Sequence, residues 1–164
     1  MHKRWISLYV ENDVGVLAKV SGLFAGKSYN LESLTVGSTE DPTISRMTIG
    51  LLSDDNTFEQ IKKQLNRCVE VIKVIDLTDI AIHAKELLFI KIENCSAEEF
   101  TEAFRMAEVF GLKVMDYGVD SVLIECLQTE TRNNDMIKFA KEKFKYIKVV
   151  RGGSVAIESI SISR

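Results

Sequence analysis

The sequence runs through one succession of alternating and helical-period segments twice, and that repetition restricts the fold more than any other feature. Ile6, Leu8 and Val10 alternate with Ser7 and Tyr9, the period-2 signature of a half-buried strand over residues 3–10. Val16, Leu17, Val20, Leu23 and Phe24 then share one helical stripe, which Gly26 ends. Leu34 and Val36 on one side of the turn-like Thr39-Glu40-Asp41-Pro42, and Met47, Ile49 and Leu51 on the other, read as paired strands. Asn56-Thr57-Phe58-Glu59 has the form of a capping box ahead of the stripe Phe58, Ile61, Leu65, and residues 71–77 supply a fourth strand. From Leu88 the succession starts again. Leu88, Ile90 and Ile92 alternate, and Ser96-Ala97-Glu98-Glu99 caps a helix with the face Phe100, Ala103, Phe104, Ala107, ending near Gly111. Two strands follow near 112–117 and 119–127. A helix capped by Thr131 or a nearby Asn carries Ile137, Ala140 and Phe144, and a strand at 146–150 closes the unit.

Strand, helix, strand, strand, helix, strand is the ferredoxin-like order, in which two helices cover one face of an antiparallel sheet. The chain is therefore expected to be an α+β protein of two tandem ferredoxin-like βαββαβ domains, residues 1–78 and 84–164. Its 164 residues, 46% of them hydrophobic, suffice for two small cores. The junction 78–84 contains neither Gly nor Pro, which argues against a flexible linker. Beyond Gly152-Gly153 the tail places Val155, Ile157, Ile160 and Ile162 among serines. These apolar residues need a surface, either as an extra strand on the second domain or docked on another subunit.

Several function classes are excluded. The net charge is −3 with Lys and Arg scattered singly, so no basic stripe is available for a phosphate backbone and no nucleic-acid partner is expected. No apolar run approaches a membrane span, and the N-terminal one is too short for a signal-peptide core, so the expectation is a cytoplasmic protein away from the membrane. Cys68, Cys95 and Cys126 lie far apart without CxxC spacing and read as buried free thiols. His2 lies at the terminus and His83 in the junction, neither with a catalytic or metal-ligating neighbourhood. Glu40-Asp41 and Asp54-Asp55 fall where a turn and a helix cap explain them. Gly26-Lys27-Ser28 ends a helix instead of starting one and has Ser21 where a phosphate-binding loop needs glycine. No catalytic residue and no metal site is predicted.

The loop Glu11-Asn12-Asp13-Val14-Gly15 leaves the first strand and enters the first helix. Unpaired N–H groups at a helix N-terminus attract a carboxylate, and an Asn amide can serve both an ammonium and a carboxylate. Gly15 lets a ligand approach the backbone, or adopts a φ that other residues avoid. That chemistry suits a free α-amino acid. On the residues alone, however, Asn12 or Asp13 as a plain helix N-cap is the stronger explanation.

Three segments shift that balance: Val10-Glu11-Asn12-Asp13-Val14-Gly15-Val16-Leu17, Tyr29-Asn30-Leu31-Glu32-Ser33-Leu34-Thr35-Val36, and Asp41-Pro42-Thr43-Ile44-Ser45-Arg46-Met47-Thr48-Ile49. In content, order and spacing they resemble the small regulatory subunit of acetohydroxyacid synthase (acetolactate synthase), an ACT-domain family. The similarity continues weakly to Val149-Val150-Arg151-Gly152-Gly153. The resemblance implies that the first domain is an ACT domain and that two such domains pair edge to edge in a homodimer. It implies a branched-chain amino acid, usually valine, at that interface, held by Asn12, Gly15, Val16 and Leu17 of one chain and Asn30 and Leu31 of the other. Arg46 is either a further contact or one half of an exposed ion pair. It also implies a non-catalytic subunit that activates a separate catalytic large subunit and confers feedback inhibition on it, with thiamine diphosphate, Mg and FAD belonging to that large subunit. Two departures stand near the site. Ser28 replaces the family's usual Gly before Tyr-Asn, at a cost of roughly 1 kcal/mol if the turn is left-handed, and Gly37 stands where Ala is common. The rivals are a free-standing amino acid sensor acting on another enzyme or on a transcriptional regulator, which the missing DNA-binding segment disfavours, and an enzyme on the same scaffold, which lacks its acid, base and metal groups.

Overall fold

The computed structural model describes residues 1–27 and 29–161. The turn at Ser28 and the last tail residue expected to dock, Ile162, lie outside the described residues. Twelve elements follow in order: β1 His2–Glu11, α1 Val16–Gly26, β2 Leu31–Ser38, β3 Ile44–Ser53, α2 Asp55–Leu65, β4 Val71–Asp76, β5 Ile82–Ile92, α3 Ala97–Phe110, β6 Lys113–Tyr117, β7 Val122–Gln128, α4 Glu130–Lys143 and β8 Ile147–Glu158. The doubled βαββαβ order is therefore present, as two four-stranded antiparallel sheets ordered β2-β3-β1-β4 and β6-β7-β5-β8.

Alternation fixes which face of each sheet is buried, because a one-residue slip would turn every apolar side chain outward. In β1 the even residues Ile6, Leu8 and Val10 join Met47, Ile49 and Leu51 of β3 under Val16, Val20 and Phe24 of α1 and Phe58, Ile61 and Leu65 of α2, all at most 4% exposed. Each such side chain contributes about 1.5–3 kcal/mol by leaving water. The odd residues Trp5, Ser7 and Tyr9 pair with Gly50, Thr48 and Arg46 and face away from the helices. The second unit repeats the scheme with Leu88, Ile90, Ile92, Val122, Ile124 and Cys126 beneath Ala103, Met106, Ala107, Met136 and Ala140.

The compact units are residues Met1–His83 joined by the chain from Ser154 onward, and Ala84–Gly153. The span expected for the second domain, 84–164, contains all four strands of the second sheet except the first residues of β5, while packing groups its segment from Ser154 onward with the first unit. The strand expected at 146–150 continues to Glu158 beside β5, so the tail residues Val155 and Ile157 lie in a strand of the second sheet, one of the two alternatives that the tail pattern suggested, while the chain from Ser154 onward also packs with the first unit. Gly153, with φ 81°, stands at the change of unit.

Local capping agrees with the sequence at α3, agrees at α2 with the cap role given to Asp54-Asp55 but not with the box at Asn56, and differs at α1 and α4. Ser96 accepts from the Glu99 N–H at 3.2 Å while the Glu99 carboxylate accepts from the Ser96 N–H at 2.9 Å, the expected capping box. The cap of α2 is Asp54, not Asn56: its carboxylate takes both the backbone N–H and the hydroxyl of Thr57, at 2.8 and 2.9 Å. The cap of α4 is Thr129, two residues before the expected Thr131. At α1 neither Asn12 nor Asp13 is the cap; Gly15 occupies that position. Of the cysteines, only Cys126 is fully buried, its thiol pushed up to about 11 by burial, while Cys68 and Cys95 are half-buried.

Candidate functional site

The β2–β3 turn is built to hold Asn12. Asp41 accepts from both the N–H and the hydroxyl of Thr43, at 2.9 and 2.6 Å, which lowers its pKa and locks the turn. The turn so fixed presents the Pro42 carbonyl to Asn12 Nδ2 at 2.9 Å and the Thr43 carbonyl to the Asn12 N–H at 2.8 Å. Ser45 donates to Asn12 Oδ1 at 3.0 Å. Asp41, Pro42, Thr43 and Ser45 therefore orient one exposed amide, a role that no local pattern reveals because the partners lie some thirty residues away, at a separation of 30 for Pro42 and 33 for Ser45. An Asn side chain offers two donor hydrogens and two acceptor lone pairs, so one of each is left for a ligand.

Past Asn12 the chain enters α1 through Gly15, whose φ of 86° is left-handed and whose N-cap position carries no side-chain hydrogen bond. The Val16 N–H donates to the Asp13 carbonyl at 3.3 Å, and the N–H groups that follow it in the first turn are left to water or to a ligand. A Cβ built on Gly15 would meet nothing within 4 Å, so the backbone is open to approach. Val14 and Leu17, 105% and 43% exposed, flank this opening with apolar surface, although Val14 was not among the residues that sequence singled out. Val16, by contrast, is 4% exposed and packs into the core, so only its backbone faces the loop. Beside the loop, Lys19 pairs with Glu70, whose hydrogen bond raises the lysine and lowers the carboxylate.

Asn30 is exposed and immediately precedes β2, and Leu31 is half-buried against the core. One chain does not bring these two to the loop. Leu31 pairs with Leu51, whereas Glu11, next to Asn12, pairs with Ile44 at the other end of β3. From Ile44 to Leu51 is seven residues, or about 23 Å at about 3.3 Å per residue. β2 is the edge of its sheet, with one side bonded to β3. An antiparallel partner laid along that edge would bring its own Asn30 end to the end of the sheet that carries Asn12.

Arg46 is neither exposed nor turned toward the loop. Its side chain is 19% exposed and donates to Ser7 Oγ at 2.7 Å, Tyr9 Oη at 3.1 Å and Glu158 Oε2 at 3.2 Å. It borders a cavity of about 530 Å³ on the helix-free face, with Tyr9, Thr35, Thr48, Val155 and Ile157. His2 and His83 are both exposed, and among the described residues no group of three or more His, Cys, Asp or Glu is placed to hold a metal. No helix among them is long and apolar enough to cross a membrane.

Comparison with known proteins identifies the family to which this fold belongs. A family model described as the AHAS small subunit-like ACT domain matches residues 6–73, so the first unit is an ACT domain, and the protein is of the class in which such a domain precedes a second βαββαβ unit. A second model, described as the small subunit of acetolactate synthase, matches residues 85–160. The acetolactate synthase small subunit of Aquifex aeolicus is 41% identical over 157 residues, 96% of this chain and 81% of that protein. That of Haemophilus influenzae is 34% identical over 94% of each chain. The crystal structure of the Thermotoga maritima small subunit superposes with a TM-score of 0.85 at 31% identity, covering 99% of this chain and all of that one. The chain belongs to the acetolactate synthase small subunit family.

Proposed function

We propose that this chain is the feedback subunit of acetolactate synthase. In this reading two copies pair through β2, and a branched-chain amino acid binds where the Asn12–Gly15 loop of one copy meets Asn30 and Leu31 of the other. The dimer activates a cytoplasmic catalytic large subunit, and the amino acid shifts the assembly to a less active state. Thiamine diphosphate, Mg and FAD belong to that large subunit, and this chain contributes no catalytic residue.

The observation that carries the reading is the separation of Asn12 from Asn30 by about 23 Å along one sheet, which antiparallel pairing of two β2 edges removes. The chemistry at the joint end fits an amino acid. The N–H groups after Val16 in the first turn of α1 suit a carboxylate, the fixed Asn12 amide suits the ammonium or the carboxylate, and Val14 and Leu17 offer apolar contact to a branched side chain. Inhibition follows if the effector binds one assembly state more tightly than the other, since only a differential affinity moves an equilibrium.

Isothermal titration of the chain with L-valine, L-leucine and L-isoleucine, alongside sedimentation equilibrium, tests this. A dimer that binds at least one of the three, and loses affinity when Asn30 is replaced by Ala, is the expected result. A monomer that binds with Asn30 replaced would contradict the shared site.

A further inference from the structure

The last residues of β8 are fastened to the helix-free face of the first sheet by side chains of β2 and β3. Ser154, 1% exposed, donates its N–H to Ser33 Oγ at 3.2 Å, and its carbonyl accepts from Thr35 Oγ1 at 2.9 Å. Both backbone groups of one buried residue are thus held by two hydroxyls of a single strand. Four residues on, Glu158 pairs with Arg46 of β3 at 3.2 Å, and the Ser159 N–H donates to the Ala81 carbonyl at 2.9 Å. Immediately before this segment stands Gly153, with φ 81°, a backbone state that costs other residues about 1–2 kcal/mol. The anchored segment therefore begins directly after a backbone position that favours glycine.

Ser33 and Thr35 lie on β2 just after Leu31, which Asn30 immediately precedes, and the β2–β3 register shifts between Leu31 and Ser33. β2 thus carries the partner-side effector contacts of the proposed function at its start, an open pairing edge along its length, and the Ser154 clamp on its helix-free face. From this arrangement we infer that Ser33 and Thr35 are positioning residues for feedback: a change in β2 on effector binding is passed through their hydroxyls to Ser154 and the segment ending at Glu158. The inference rests on the effector reading above. It requires no new contact, because a shift of β2 that moves the two hydroxyls must either carry Ser154 along or leave its buried N–H and C=O without partners, which is costly.

Two measurements test it. Hydrogen exchange on the wild-type dimer with saturating L-valine should slow exchange at Ser154 by about 5-fold or more. In the complex with the catalytic subunit, Thr35→Val should keep stimulation and keep valine affinity by titration calorimetry, yet lose most of the inhibition at saturating valine; Thr35→Ser, which retains the hydroxyl, should restore it. Valine binding with unchanged exchange at Ser154, or full inhibition of Thr35→Val, would overturn the inference and leave the effector site standing. Absence of binding by L-valine, L-leucine and L-isoleucine to the wild type would overturn the effector reading and this inference with it.

Discussion

Replacing Gly15 by Ala and by Asp separates a ligand site from a loop that merely turns the chain. At φ 86° any side chain pays the left-handed penalty of about 1–2 kcal/mol, but nothing lies within 4 Å of the new Cβ, so no packing cost is added. Ala should therefore lower the melting temperature of the first unit by about 4–8 °C per kcal/mol. Asp tolerates this conformation better, and its charge at the N-terminus of α1 recovers about 0.3–1 kcal/mol, so Asp should be at least as stable as Ala. Effector binding should follow the opposite order. A ligand carboxylate about 4 Å from the Asp charge is repelled by about 1–4 kcal/mol, between the limits of water and of protein surface, which weakens binding by about 5-fold to about 1,000-fold. Differential scanning calorimetry gives the stabilities and titration with L-valine the affinities. If Asp binds valine as well as Ala does, the loop is not where the carboxylate sits, and the reasoning fails.

Other regions give predictions that do not depend on the effector. Glu86, 3% exposed, accepts from Arg151 Nε at 3.0 Å and Nη2 at 2.8 Å and from Asn133 Nδ2 at 3.0 Å. Arg151→Met should therefore destabilise the second unit by about 2–3 kcal/mol in urea unfolding, less than for a fully buried pair because the arginine is partly exposed; a loss under about 0.5 kcal/mol would refute this. Ser96→Ala removes the capping box of α3 and should cost about 1 kcal/mol by the same assay, with no loss meaning that the cap contributes nothing. At the N-termini of α2 and α3, Asp54 and Glu99 have lowered pKa values, chiefly through the backbone N–H groups of Thr57 and Ser96. A depressed carboxylate stabilises above its unfolded pKa and stops doing so as pH falls through the folded value, so stability should decline below a pH of about 4 and not on the alkaline side. The buried Cys126 thiol should resist iodoacetamide at neutral pH until the protein unfolds, as mass spectrometry would detect.

The fold was legible wherever one periodicity acted alone. Ile6, Leu8 and Val10 declare their face by alternation, and the Ser96–Glu99 pair marks its helix because both halves of the box are local. Legibility failed where neighbours of similar chemistry compete. Asp54 and Asn56 can each cap α2, and only the geometry of Thr57 decides between them. At α1 the two polar candidates Asn12 and Asp13 hide a cap supplied by Gly15, whose advantage is a backbone angle. In the tail, the pattern marked the apolar Val155 and Ile157 as needing a surface, and in the single chain these are 62% and 54% exposed while the small Ser154 and Ala156 between and beside them are 1% and 3% exposed. The closely docked face excludes bulk and supplies hydroxyl partners from Ser33 and Thr35, which hydropathy does not register. At the candidate site, sequence pointed to Asn12 but not to what aims it, since Pro42 and Ser45 act across the β2–β3 turn.

In the proposed function the chain regulates a separate catalytic subunit through an amino acid bound at its ACT domain. The most direct measurement is the rate of acetolactate formation by the catalytic subunit, with and without this protein, as L-valine, L-leucine or L-isoleucine is titrated. Stimulation by the protein, and a saturable fall in that stimulated rate with at least one of the three, is the expected result. A rate unchanged by the protein, and unmoved by all three amino acids in its presence, would contradict it.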